Sequence, residues 1–443
     1  MAERGRAGTG AVLSLYAEGK QDTYLNCKGG KSFFKEKNIR HTNFSTTYKP
    51  HYIYKDPGNA TWPFGLEVKF KINPKISGDV LSNAFLKCSL PALQPDEAYC
   101  QQVGNAIIKE IKFIVDGAVF DIRTHDWITI QKELFFNESE KRCLDTLIGD
   151  DFNSRTSTKP IPLYIPLNLF FCRSRMKIYD DSYVISDNFF KPYYLLCASY
   201  NNDIEISITF HEQAFFSNAS ATTISMDSLN LVTIEHNLTD KERLFYRVNK
   251  QIQVINNVTL QSVLDIEKGQ QTFKNFLTPT TPVKSFHWFL RNKDFEDEKN
   301  SENFLKRYNF SSDYITSNVM NEDSNVIMAD AKIFLNGDNQ IGFQGNFNTS
   351  ERVVGNSYYK YLQNYDHYLN TPNRNIYTYS FSIDPSNPAP TGAINFSMLQ
   401  SSKTTLEGTI YNGASSNTYN MHMFYFGYSI VNYENGFASL AFT

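Results

Sequence analysis

Between residues 66 and 72 apolar and charged side chains take turns: Leu66, Val68, Phe70 and Ile72 alternate with Glu67, Lys69 and Lys71. A period of two sends one set to each face of a strand, so the segment predicts a strand with one face buried and the other in water. After a turn signal at Ser77-Gly78-Asp79 comes a second run, Ala84-Phe-Leu-Lys-Cys-Ser-Leu90. Two further runs, Ile107 to Val115 and Ala118 to Ile122, flank Asp116-Gly117, the dipeptide that closes a two-residue hairpin and sets its register. Leu163 to Cys172, Ile204-Glu-Ile-Ser-Ile-Thr-Phe210 and Leu229 to Glu235 continue the series. The strict alternation from Ile204 to Phe210 leaves little room for a helix.

Two segments break the pattern. Residues 134 to 160 carry charged and small residues, including Asn137 to Arg142 and Gly149-Asp-Asp151, and predict a long, partly helical excursion. Thr239-Asp-Lys-Glu242 has the spacing of a capping box, so a short helix through Tyr246 is expected, with the boundary between two halves beside it. Strand signals then resume at Ile252, Val283 to Leu290 and Ile333-Phe-Leu335, the last before an Asn336-Gly337 turn, with a charged excursion from Arg291 to Asn325. Further on, Tyr377, Tyr379, Phe381 and Ile383 fit one buried strand face, after which Pro385, Pro388 and Pro390 remove the amide hydrogens a sheet interior needs. The chain is therefore expected to leave the sheet, turn at Gly392 and re-enter. Final strands are expected from His422 to Ile430 and Phe437 to Phe442. Short strands with long excursions in both halves predict an all-β protein with a jelly roll in each half.

Length supports the division, since 443 residues are enough for two domains of roughly 200 residues. Aromatic residues make up 15% of the chain, which favours strands over helices. A formal charge of −3 and a pI near 6.3, without basic runs interleaved with stacking aromatics, argue against direct nucleic-acid binding. Arg4 and Arg6 belong to a flexible arm. The six cysteines, Cys27, Cys88, Cys100, Cys143, Cys172 and Cys197, form no CxxC pair, and those inside apolar runs read as free buried thiols from a reducing site of synthesis. Ala11 to Ala17 is too short for a signal core, and no apolar run has membrane-span length. Sequons such as Asn59, Asn218 and Asn395 offer glycan attachment, but an Asn- and Ser-rich chain generates them by chance.

Candidate chemistry is sparse. Gly30-Lys31-Ser32 ends like a phosphate-binding loop, but Leu25 stands where that loop needs glycine. Neither a G-x-S-x-G elbow nor an H-E-x-x-H pair occurs. Asp294, Glu296, Asp297 and Glu298 lack the ligand order of a calcium loop and read as a solvated loop. His125, Asp126 and Trp127, like His287 beside Trp288, read as core rather than as a catalytic cluster. No catalytic, cofactor-binding or metal-ligating residue is assigned, and an enzyme is not expected.

Several segments carry a resemblance. Gly19 to Leu25, Ser32-Phe-Phe-Lys35 and Arg40-His-Thr-Asn-Phe44 open the chain. Ile111 to Ile122 with Trp127 follows, then Glu242-Arg243 and Pro282-Val-Lys-Ser-Phe-His-Trp288. The proline corner Asp384 to Ser397 and Gly436 to Phe442 close it. Together they resemble the major capsid protein of nucleocytoplasmic large DNA viruses, of the chlorella virus and iridovirus kind. Departures fall at Asp116-Gly117, where the family more often has two glycines, at Asn168 and Arg173, and from Asn188 to Leu196.

The resemblance implies an all-β double jelly roll, two consecutive eight-stranded antiparallel sandwich barrels with short helices in loops. Its parts would be an arm at residues 1–25, a first jelly roll at 26–237, a linker helix at 238–250 and a second jelly roll at 251–443. It further implies homotrimers of six-sided outline that tile the outer shell of a virion, synthesis in the host cytoplasm or viral factory, and no cofactor. Partners would be neighbouring capsomers, minor capsid proteins beneath the shell and an adjoining inner membrane, with no direct nucleic-acid contact. The excursions at 134–160, 291–325 and 400–418 would form outer towers or clasps. A minor capsid paralogue and a carbohydrate-binding attachment protein are the alternatives.

Overall fold

In the computed structural model nine strands form among the described residues of the first half of the chain: β1 (Phe44–Tyr54), β2 (Glu67–Ile72), β3 (Val80–Leu90), β4 (Ile108–Val115), β5 (Ala118–Thr124), β6 (Ile161–Pro166), β7 (Tyr194–Leu195), β8 (Ile204–Phe210) and β9 (Ser228–Leu238). The structure describes residues 41–150, 158–172, 192–226, 228–312, 326–340, 358–368, 370–411 and 417–442, with single positions at and before 24 and at 156. Residues 1–42 and 177–189 form a separate small unit, in which a 3-10 turn at Asp22–Tyr24 is the described element. Gly30-Lys31-Ser32, Cys27 and most of the expected arm lie outside the described residues. All that follows concerns the large unit, Asn43–Met176 with Phe190–Thr443.

Two antiparallel sheets face each other. One has the order β1-β9-β3-β6, with β7 on β3, and the other β2-β8-β4-β5. The alternation seen in the sequence is what closes them: Val68, Phe70 and Ile72 point inward with Ile204, Ile206, Ile208 and Phe210 on one side, and Ala84, Leu86 and Leu90 do so on the other. Asp116 and Gly117 take positive φ of 49° and 82°, so the expected hairpin forms with Val115 opposite Ala118.

The second half repeats the plan with β10 (Gln251–Leu260), β11 (Leu264–Ile266), β12 (Thr272–Phe276), β13 (Pro282–Asn292), β14 (Met328–Leu335), β15 (Asp338–Asn339), β16 (Tyr377–Ser380), β17 (Ile394–Asn395), β18 (Thr405–Ile410), β19 (Tyr419–Glu434) and β20 (Phe437–Leu440). Its sheets run β10-β19-β13-β16 and β12-β18-β14-β15. Strand for strand this is the order of the first sandwich, so the chain is two jelly rolls of one topology. The short strands β11, β17 and β20 are additions to β19 and β13.

The linker helix, Asp240–Val248, buries none of its residues. Its capping box does not form, because Thr239 has the right backbone angles but accepts no hydrogen bond. Arg243 anchors this helix instead, donating to both carboxylate oxygens of Asp79 at 2.7 and 2.9 Å.

The proline corner depends on one buried cation. After Ser380 the chain leaves the sheet, and Ile383, expected inside, is 80% exposed. Lys284 of β13, fully buried, donates to the carbonyls of Asn387 (2.7 Å) and Pro385 (3.3 Å). Its amine lies over the rings of Tyr428 and Phe426 at 4.5 and 4.8 Å. Burial pushes the Lys284 ammonium down to about 7. A Cβ on Gly392, whose φ is 132°, would sit 3.0 Å from the Phe381 carbonyl oxygen, so glycine is needed where the chain doubles back. It then pairs Ile394 and Asn395 with Val283 and Pro282.

Candidate functional site

The outward face of the β10-β19-β13-β16 sheet meets the first sandwich, and this seam concentrates the buried charge of the molecule. Every residue of β13 from Val283 to Asn292 is buried. Inward, Phe286, Trp288 and Leu290 join the second core. Outward, Phe289 stacks on Phe310 at 4.0 Å and belongs to a third cluster with Val258, Phe424 and Phe426.

The excursion after β5 covers that face. It is two helices, α1 (His125–Phe135) and α2 (Glu138–Ile148). Thr124 caps α1 by accepting from the Trp127 amide, and α2 has a complete capping box in which Asn137 and Glu140 bond reciprocally. All of α1 except Gln131 is buried, because it is gripped from two sides: Ile128 joins the first core, while Trp127, Ile130 and Leu134 join the seam. Trp127 lies 5.4 Å from Phe426 and 5.9 Å from Phe424. The expectation that Trp127 is core therefore holds, but the core is the one shared by the two sandwiches.

Ion pairs lock the apolar contact. Arg291, at the end of β13, holds both oxygens of Asp126 at 2.8 and 3.1 Å, Glu296 at 2.9 Å and the Arg307 carbonyl at 3.0 Å. Burial alone would raise Asp126, but the Arg291 guanidinium overrides it and holds that carboxyl well below its usual range. Burial would raise Glu296 too, but Arg291, His422 and Asn420 together bring it down to about 2; it accepts from Asn420 at 2.5 Å and contacts His422 Nε2 at 2.5 Å. Arg307 donates to carbonyls of both halves, Phe215 and Ala214 in the first and Phe295 and Asn300 in the second, at 2.7 to 3.3 Å. The acidic run near residue 296 is thus only partly solvated: Asp294 and Asp297 are exposed, whereas Glu296 is held by Arg291 of its own sandwich and Glu298 pairs with Lys109 of the first.

Beside these pairs is a cavity of about 360 Å³ lined by Lys109, His125, His211, Gln261, Glu298 and His422 among others. Burial drives His125 down to about 3 and lowers His211 too, so both are neutral near pH 7. Glu298, held near 2 chiefly by its contact with His211, pairs with Lys109 at 2.9 Å. His287 sits apart, fully buried, among the hydroxyls of Ser285, Tyr368 and Thr378. The Asp126, Glu296 and Glu298 carboxylates are neutralised by arginine or lysine, and the Ser285 hydroxyl, 3.2 Å from His287, is fully buried together with it. Among the described residues no group of three His, Cys, Asp or Glu side chains is placed to hold a metal ion. The arrangement fixes two bodies together; it is built for rigidity.

Reading the sequence missed Arg291, Arg307 and Lys284. Their signal was a cation at the end of, or inside, a run of apolar residues, where only a partner elsewhere in the chain makes burial tolerable.

Comparison with known proteins gives one answer for both halves. The family model described as major capsid protein N-terminus matches residues 32–232, and that of the large eukaryotic DNA virus major capsid protein matches 242–434. The chain is 22% identical to the major capsid protein of Pyramimonas orientalis virus, over 98% of its own length and 99% of that protein. It is 28% identical to capsid protein 1 of Acanthamoeba polyphaga mimivirus over 37% of its length, a match spanning 30% of that protein. A chain of the PBCV-1 virus capsid superposes with a TM-score of 0.73 at 16% identity, covering 93% of this chain and all of that one, which shows the shared fold. The chain thus belongs to the major capsid protein family of large eukaryotic DNA viruses and is a structural shell protein, not an enzyme.

Proposed function

We propose that three copies of this chain associate into a capsomer of six jelly rolls, and that these capsomers tile the outer shell of the virion. The observation that carries this reading is the pair of sandwiches with one strand order, joined by a buried seam. Three such pairs present six similar bodies around a three-fold axis, an outline that packs into a hexagonal layer although the oligomer is only trimeric. Residues 1–25 serve as an arm at the capsomer base, 26–237 as the first jelly roll, 238–250 as the linker and 251–443 as the second. The arm meets minor capsid proteins and the layer next to an inner membrane, and assembly follows synthesis in the host cytoplasm.

Light scattering on purified protein tests the oligomer. The expected mass is about three times the 50.9 kDa of the chain, because obligate interfaces are large and apolar. A stable monomer sinks the reading, as does electron microscopy that finds no six-sided particles with a three-fold centre.

A further inference from the structure

The two jelly rolls share a strand order but not a surface. In the second, the outward face of β10-β19-β13-β16 is covered by α1 and α2, the excursion that follows β5 of the first. The corresponding face of the first, β1-β9-β3-β6, is covered by none of the described elements and is aromatic along β1. Tyr48, Tyr52 and Tyr54 on β1 are 66%, 57% and 73% exposed, and the rings of Tyr52 and Tyr54 stack. Val232 and Ile234 lie beside them on β9, opposite Pro50 and Tyr48. The outward residues of β2, Glu67, Lys69 and Lys71, are charged by contrast.

The excursion of the second jelly roll that corresponds to α1 and α2 lies between β15 and β16. Its described part is one π turn, Tyr358–Leu362, continued by the helix Gln363–His367. Tyr359, Gln363 and Asn364 are buried, which fixes the segment to its own sandwich, while Leu362 and Tyr365 project outward with 48% and 80% exposure. Within the chain, therefore, the first jelly roll supplies a helical excursion and the second supplies the apolar sheet face that receives it. Left over are a helical excursion on the second and an apolar sheet face on the first.

We propose that the outward face of β1-β9-β3-β6 is the seat for the Tyr358–His367 segment of a second copy of this chain, so that the seam inside each chain is repeated between chains. This rests on the trimeric reading above and adds to it which surfaces meet. The contact is heterologous, head to tail, so three copies close it into a ring in which every aromatic face and every excursion is used. A sheet face bearing three exposed tyrosines on one strand otherwise remains an aggregation liability.

The test uses full-length protein. Tyr48→Asp with Tyr52→Asp, and separately Leu362→Asp with Tyr365→Asp, alter exposed positions and are expected to retain the β circular dichroism of the parent while the particle mass falls about threefold. A second measurement does not depend on those variants folding well. In a background lacking Cys27 and Cys143, a Tyr52→Cys chain mixed with a Tyr365→Cys chain is expected to form a disulfide-linked heterodimer on mild oxidation, which neither chain forms alone. A wild-type trimer that persists in both aspartate variants and yields no heterodimer overturns this interface and leaves the trimer standing. A disulfide between two Tyr52→Cys chains alone overturns it too, since the contact would then be isologous. A monomeric wild type overturns both readings.

Discussion

Lys284 shows how much a single position can organise. It lies in the Pro282-to-Trp288 run, about 100 residues before the proline corner, and its amine donates to the carbonyls of Pro385 and Asn387. Lys284→Met keeps most of the side chain's volume but removes both buried hydrogen bonds, so it is expected to destabilise the protein by ~1–3 kcal/mol, read from urea unfolding. His125 makes the opposite case, a titratable group held neutral. Facing it are Asp126, Arg291 and His422, with His211 at a ring distance of 4.9 Å. Its folded value, about 3, lies below its unfolded value of 6.5, so the stability it contributes is complete above pH 6.5 and is lost as pH falls toward 3. Glu296 and Glu298, both near 2 in the fold against 4.5 unfolded, lose theirs in a lower window. Between pH 7 and pH 5 His287, His211 and His51, all lowered by burial, contribute in the same direction, so the share of His125 is read from the difference between the wild type and a variant at that position. The wild type is expected to lose more than ~1 kcal/mol over that step, one unit of displacement being worth about 1.36 kcal/mol, whereas His125→Phe, which keeps a ring against Phe215 and Tyr308, should lose less. Equal losses in both proteins would remove His125 as the cause.

Among the elements, two cap motifs of similar spelling have different fates. Asn137-Glu-Ser-Glu140 closes a reciprocal capping box at the start of α2, while Thr239-Asp-Lys-Glu242 leaves Thr239 without its bond. Asn137→Ala should therefore cost about 1 kcal/mol and Thr239→Ala only a few tenths. Matching thermal-melt shifts for the two would contradict this. Strands with one wet face, such as β2 and β8, were legible because the buried side imposes a period of two. The first strand was not, since along β1 the alternation from Tyr48 to Tyr52 runs the opposite way, with the apolar side facing out. Its outward positions carry Tyr48, Pro50, Tyr52 and Tyr54, and its inward ones include Lys49 and His51. Likewise β16 ends at Ser380 rather than continuing to Ile383, because the pull of Lys284 on the corner is invisible to local periodicity.

At the scale of the whole molecule the two sandwiches are not independent. Ile255, Phe304, Tyr308, Val431 and Tyr433 from the second half are part of the first core, and α1 and α2 from the first half bury the second sheet's outer face. Calorimetry is expected to show one cooperative transition for the large unit; two well-separated endotherms would mean that the seam is weaker than its packing and ion pairs require. The excursions expected to stand outward as towers divide accordingly. The part of 134–160 that forms helix lies in the seam, and the part of 291–325 up to residue 312 ties the halves together through Glu298 and Arg307.

By itself the sequence determined the strands with an apolar period, the Asp116-Gly117 and Asn336-Gly337 turns, the place of the linker helix and the absence of catalytic motifs, all of which depend on neighbours within a few residues. The tertiary structure decided what the charged and aromatic exceptions are for. Whether Arg291 is buried against Asp126 or hydrated, and whether an outward tyrosine face is covered, depends on residues more than 100 positions away. A charge inside a sheet is tolerable only with its partner in place, and that partner is brought by the second jelly roll folding against the first.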